Sequence, residues 1–128
     1  MRRFPQSEVN MQGIHIVATG RALPKKVVTN HDLSKIMDTS HEWIVERTGI
    51  SQRYFCQDET CATLAIEAAE IAVKEAVKKE NLQLEDIGVV IVATSSGEYV
   101  LPSTACLVQK ALGIPAQTIA FDIGAACS

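Results

Sequence analysis

The stretch 88-GVVIVATS-95 runs through Val and Ile with no polar residue alternating among them. A strand with one wet face alternates apolar and polar side chains, whereas a continuous β-branched run fits a parallel strand covered on both faces. A second such run, 118-TIAFDI-123, lies downstream. Between the two, Ser103 can cap a helix over 104-TACLVQKAL-112, which Gly113 would close. Strand, helix and strand in that order predict an α/β fold with a mixed, mostly parallel sheet layered with helices. Such sheets gather their functional groups outside the carboxyl ends of the strands. The residues after the second of those ends are 124-GAACS-128, with Cys127 among them.

Working upstream, 61-CATLAIEAAEIAVKEAVKKE-80 predicts the strongest helix, capped by Thr60. Leu64, Ala65, Ala68, Ala72 and Ala76 recur at helical spacing, and so many alanines predict close approach of another backbone. Glu70–Lys74 and Glu75–Lys79 are i,i+4 pairs in the favourable order on the wetter side. In 39-TSHEWIVERTG-49, Thr39-x-x-Glu42 reads as a capping box and Gly49 as the helix stop. The segment 50-ISQRYF-55 reads as a strand or extended connection, 14-IHIVATG-20 as a first strand closed by Gly20, and 23-LPKK-26 as a turn. Residues 1–12 are expected to be a flexible tail, with the fold beginning near Gly13.

The chain has 128 residues, 47% hydrophobic and 21% charged, with a net charge of −3. That balance suits a packed core and gives no electrostatic reason to expect nucleic acid. No apolar run reaches the roughly 18 to 20 residues of a membrane span. No apolar segment follows the basic start of MRRFPQSEVNMQ, so it does not read as a secretory signal, and a cytoplasmic protein is expected. Cys56, Cys61, Cys106 and Cys127 are therefore expected as reduced thiols. No C-x-x-C occurs, and His15, His31 and His41 stand at no ligand spacing, so no metal site is expected.

Free cysteine is usually core filler, the expected role of Cys61, Cys106 and Cys56. Cys127 follows Gly124-Ala125-Ala126, which permits a sharp turn and close approach to the backbone. A thiol opening a helix there would feel the positive end of the peptide dipoles, which favours thiolate. Position alone leaves both readings of Cys127 open, buried filler and nucleophile.

Six stretches occur in order along the chain: 18-ATGRALP-24, 28-VTNHDL-33, 38-DTSHEWIVERTGI-50, 92-VATSS-96, 102-PSTACLVQKALG-113 and 122-DIGAACS-128. Together they make the chain resemble the N-terminal half of β-ketoacyl-acyl-carrier-protein synthase III, of the thiolase-like condensing enzymes. The D-T-S-x-E-W-I-x-x-R-T-G-I block is the most specific of the six.

The resemblance implies that residues 13–128 are the N-terminal half domain of a thiolase-like fold, its C-terminal half expected to be absent from this chain, in an enzyme that condenses an acyl-CoA primer with malonyl acyl carrier protein, losing CO2, to begin fatty-acid synthesis. It implies Cys127 as the acyl-accepting nucleophile. Trp43, Arg47 and Thr39 would be coenzyme A contacts, and Leu101 an acyl-pocket residue reaching across a dimer. Phenylalanine is common at that last position in the family, so leucine implies tolerance of primers other than acetyl. Acyl-CoA would be a substrate, and no cofactor is implied. The family's histidine and asparagine partners stand in no matching motif of this chain, so these 128 residues alone are expected to be inactive. A homodimer of the complete enzyme, or a complementing C-terminal fragment, is the expected partner. Rival readings are a polyketide- or quinolone-type condensing enzyme, a more distant hydroxymethylglutaryl-CoA synthase relative, a non-catalytic truncated paralogue serving as a partner subunit, and a redox-sensing thiol protein.

Overall fold

A computed structural model describes residues 16–125. The expected tail, the beginning of the expected first strand and Cys127 lie outside the described residues.

The elements are β1 (Lys26–Thr29), α1 (Asn30–Leu33), α2 (His41–Thr48), β2 (Gln52–Phe55), α3 (Cys61–Glu80), β3 (Val89–Ala93), α4 (Thr104–Leu112) and β4 (Ile119–Ile123), with a 3₁₀ turn at Leu84–Asp86. Their strands form two separate ladders: β1 with β2 antiparallel, and β3 with β4 parallel.

The parallel pair and its crossover helix follow the sequence reading closely. Ser103 Oγ accepts from the Cys106 N–H, and α4 ends at Gly113, whose φ of 72° is the left-handed conformation glycine adopts without a Cβ clash. Gln109 Nε2 then donates to the carbonyls of Pro115 and Thr118, bracing the turn into β4. Thr118 Oγ1 donates to the Ile87 carbonyl and fixes where β4 meets β3. The register pairs Val89 with Ile119, Ile91 with Phe121 and Ala93 with Ile123.

The expectation that 88–95 is covered on both faces is corrected. Burial alternates along both strands. Val90, Val92, Ala120 and Asp122 are half-buried, and α4, with buried Ala105 and Val108, packs on this sheet. Val89, Ile91, Ile119, Phe121 and Ile123 remain exposed on the other face. The run records a face built for cover, but nothing among the described residues supplies that cover.

Helix α3 begins at the expected cap, with Thr60 Oγ1 accepting from the Thr63 N–H, and ends at Asn81 in the left-handed region. The expected close approach is met by Gly20, where a Cβ would collide with the Ala68 carbonyl oxygen and lie 2.7 Å from the Ala72 nitrogen. Residues 16–20 nevertheless form no strand, correcting that part of the first-strand expectation. They lie against α3, with the Val17 carbonyl accepting from Lys79 Nζ. Lys79 thus does not pair with Glu75, which takes Lys78 at 2.9 Å; Glu70–Lys74 forms as expected. The expected turn at 23–26 narrows to a bend at Lys25, because Lys26 already belongs to β1.

Candidate functional site

Helix α2 carries the first group of expected site residues. Its cap is Ser40, one residue beyond the expected Thr39. Ser40 is extended (φ −134°), and its Oγ accepts from the Trp43 N–H at 3.1 Å. Either hydroxyl suits a cap chemically, and backbone geometry selects Ser40. Glu42 in the first turn is held below the usual carboxylate range, first by its own backbone N–H and then by the Ser40 hydroxyl.

Buried Ile44 anchors α2, which turns Trp43 and Arg47 outward on one face, four residues apart. The Arg47 guanidinium carbon sits 4.3 Å from the Trp43 ring centroid, a cation–π stack. Trp43 is 53% exposed, a high value for a residue that usually hides most of its ring. Asp38, Thr39, Ser40 and Trp43 line an open cavity of about 350 Å³ beside the stack. The structure therefore brings Thr39, Trp43 and Arg47 together. Such a surface offers an aromatic face, a fixed cation and hydroxyl groups, which suits a flat heteroaromatic ring bearing phosphate.

A second cavity lies at the carboxyl ends of the parallel strands. Ala93, Thr94, Ser95, Ser96, Ile123 and Ala125 line a cavity of about 270 Å³. The Thr94 N–H donates to the Ile123 carbonyl at 3.0 Å and extends the ladder into the cavity wall. Thr94 Oγ1 accepts from the Ser96 N–H and lies 3.4 Å from Cys61 Sγ. Cys127 is two residues beyond Ala125 and lies outside the described residues.

Asp122, just before that cavity, was missed by the sequence reading. Its Oδ2 accepts from the Thr104 N–H at 2.8 Å and its Oδ1 from the Ala105 N–H at 2.7 Å. Burial works to raise its pKa, but the donations from Ala105 and Thr104 outweigh it and hold the carboxyl below the usual range. A negative charge at a helix N-terminus is also favoured by the dipole. The signal was an acidic residue inside an otherwise apolar strand. Glu98 does similar work on the loop after β3, accepting from the Ala62 N–H at the start of α3 at 2.9 Å.

Leu101 sits in that loop, outside both cavities and 84% exposed, beside exposed Tyr99 and Val100. The other cysteines depart in part from the filler expectation: Cys56 is exposed, while Cys61 and Cys106 are half-buried and each contacts a hydroxyl. Among the described residues no three His, Cys, Asp or Glu side chains group to hold a metal, and no helix is long and apolar enough to cross a membrane.

No protein-family profile matches the chain. It is 48% identical over 119 residues to a β-ketoacyl-[acyl-carrier-protein] synthase III of Alkalilimnicola ehrlichii, covering 92% of this chain and 36% of that protein. It is 49% identical to the Aquifex aeolicus protein of the same description, covering 91% and 36%. By length the chain thus spans about a third, rather than half, of the curated relatives it matches. Among solved structures, the crystal structure of 3-oxoacyl-[acyl-carrier-protein] synthase III from Aquifex aeolicus superposes with a TM-score of 0.78 at 47% identity, covering 87% of this chain and 34% of that one. A priming β-ketosynthase of the R1128 polyketide pathway superposes with a TM-score of 0.71 at 25% identity, covering 84% and 31%. The fold is the thiolase-like α/β arrangement expected from the sequence.

Proposed function

We propose, on the premise that this chain is a stretch of a β-ketoacyl-[acyl-carrier-protein] synthase III, that it furnishes the acyl-loading part of a condensing acyltransferase. The observation that carries the reading is the exposed Trp43–Arg47 stack beside Thr39, a surface suited to the adenine and phosphates of coenzyme A. Acyl-CoA is then a substrate, and no cofactor takes part.

In this reading the Cys127 thiolate attacks the thioester carbonyl of an acyl-CoA. Backbone N–H groups near the cysteine stabilise the tetrahedral oxyanion, and its collapse expels the coenzyme A thiolate, leaving an acyl-enzyme. Malonyl acyl carrier protein next loses CO2, and its enolate carbon attacks the acyl group, returning the thiolate and releasing a β-ketoacyl product. The hydroxyl-lined cavity at the strand ends, which reaches Ala125 two residues before Cys127 in sequence, supports a polar site there. The open apolar face of β3 and β4 supports a partner, either the complementing part of the enzyme or its dimer. Leu101 would shape the acyl pocket and admit primers longer than acetyl. A cytoplasmic location fits this chemistry.

Intact-mass spectrometry after mixing with acetyl-, propionyl-, butyryl- and isobutyryl-CoA tests the proposal. One acyl adduct per chain is expected, absent in Cys127→Ala, with longer primers loading as well as acetyl. An adduct that persists in Cys127→Ala would remove Cys127 from the mechanism. Acetyl as the sole adduct would remove the primer tolerance ascribed to Leu101. With malonyl carrier protein added, the 128 residues alone are expected to yield no acetoacetyl product, and finding that product would overturn their dependence on a partner.

A further inference from the structure

The Glu98 side chain crosses from the loop between β3 and α4 to the start of α3, where its Oε1 accepts from the Ala62 N–H at 2.9 Å. Ala62 is 5% exposed, so this N–H has little water to turn to. The Ala62 N–H and then the Thr60 hydroxyl hold the Glu98 carboxyl below its usual range, and the positive end of the α3 dipole favours its charge. Thr60 already caps α3 through the Thr63 N–H, so Glu98 satisfies a different free amide of the first turn.

The same loop, residues 94–103, is tied at both ends. The Thr94 N–H donates to the Ile123 carbonyl, and Thr94 Oγ1 accepts from the Ser96 N–H. At the far end, Asp122 takes the N–H groups of Thr104 and Ala105. Gly97 passes between the ends: a Cβ on it would lie 3.1 Å from Thr104 Oγ1 and 3.8 Å from Thr94 Cγ2. On this fixed frame the tip turns Tyr99, Val100 and Leu101 to solvent. A loop free to collapse would hide such side chains. Hydrogen bonds that fix the backbone beneath them are what presentation of a recognition side chain requires. Among the described residues Glu98 is the tie nearest the tip, three residues before Leu101.

We infer that Glu98 is a positioning residue for primer selection, which by docking the loop on α3 sets where Leu101 stands. This inference rests on the reading of Leu101 as an acyl-pocket residue. Without the carboxylate the tip pivots on the two ends of the loop, Leu101 leaves its place, and the limit it sets on primer length relaxes. A carboxylate that only capped α3 would act on stability and treat every primer alike.

The test measures initial loading rates from acetyl-, butyryl- and hexanoyl-CoA by intact-mass spectrometry, in the native chain, Glu98→Ala, Leu101→Ala and the double variant. One methylene of fit in an apolar pocket changes discrimination by about tenfold or more. The hexanoyl-to-acetyl rate ratio is expected to rise by at least about tenfold in each single variant. It should rise no further in the double variant, because Glu98 acts through Leu101. Glu98→Gln keeps an acceptor oxygen and should hold most of the native ratio. Hydrogen exchange followed by NMR reads the anchor without any acyl-CoA. The Ala62 amide should be protected in the native chain and in Glu98→Gln, and unprotected in Glu98→Ala. A glycine inserted between Tyr99 and Val100 leaves Glu98 in place, and should raise the ratio while the Ala62 amide stays protected. That variant keeps the test independent of how well Glu98→Ala folds.

An Ala62 amide equally protected in Glu98→Ala would overturn the anchor. Equal slowing of all three primers in Glu98→Ala, additive effects in the double variant, or a native ratio after the insertion would overturn the positioning role and leave the reading of Leu101 standing. A native chain that loads no acyl group, or a native ratio in Leu101→Ala, would overturn the reading of the loading site and this inference with it.

Discussion

Replacing Asp122 with Ala would remove the acceptor of two backbone N–H groups at the start of α4. Their residues, Thr104 and Ala105, are 2% and 0% exposed, so the freed groups have little access to water. A hydrogen bond to a charged group contributes about 1.5–3 kcal/mol, and orphaning a buried donor costs on the same scale. Asp122 is itself half-buried and Ser103 continues to cap α4, which places the pair near the lower end, about 3 kcal/mol together. Against a total stability of about 5–15 kcal/mol, that is a large share. Asp122→Asn keeps one acceptor oxygen but sets an NH₂ against the other N–H, and is expected to cost about 1–2 kcal/mol.

The pH dependence supplies a second signature. A carboxyl held below its ordinary value contributes stability that is fully present above the unfolded pKa, about 3.9 for Asp. That contribution is lost as the pH falls through the lower folded value. Native stability should therefore decline below about pH 4, and Asp122→Ala should show a flatter decline there. Urea unfolding followed by circular dichroism at several pH values makes both comparisons. A loss below about 0.5 kcal/mol, or an acid limb parallel to that of the native chain, would refute the assignment of Asp122 as the clamp on α4.

Gly20→Ala should dislodge the segment 16–20 from α3, because the new Cβ meets the backbone of Ala68 and Ala72, which cannot give way as a side chain would. A cost of about 1–3 kcal/mol in urea unfolding is expected, and a neutral substitution would contradict this packing. Trp43→Ala should weaken coenzyme A binding by about tenfold to a hundredfold, the scale of one lost base stack, and Arg47→Lys should weaken it less. Isothermal titration decides the point, with unchanged affinity in Trp43→Ala excluding the stacking role.

Local chemistry made much of this legible. The caps Thr60 and Ser103 and the stops Gly49 and Gly113 act within a few residues of themselves, so α3 and α4 and the end of α2 could be read directly. What escaped the reading depends on neighbours distant in sequence. Residues 16–20 seat on α3, more than forty residues on, where Gly20 meets the backbone of Ala68 and Ala72. Thr39 and Ser40 are chemically equivalent as caps, and only the backbone path selects the second. The pairing of Asp122 with the start of α4 spans 18 residues and uses backbone donors, which leave no mark in a sequence. At the candidate site, the family block picked out Thr39, Trp43 and Arg47. The guanidinium lying over the indole is a matter of rotamers, visible only in three dimensions.

The bare side of β3 and β4, with Ile91, Phe121 and Ile119 turned outward, also has a thermal consequence. Attraction between such surfaces arises from water released on contact and fades as the temperature falls. Any complex held together through this side should form with a negative change in heat capacity and loosen in the cold room, so chilling a preparation would dissociate it.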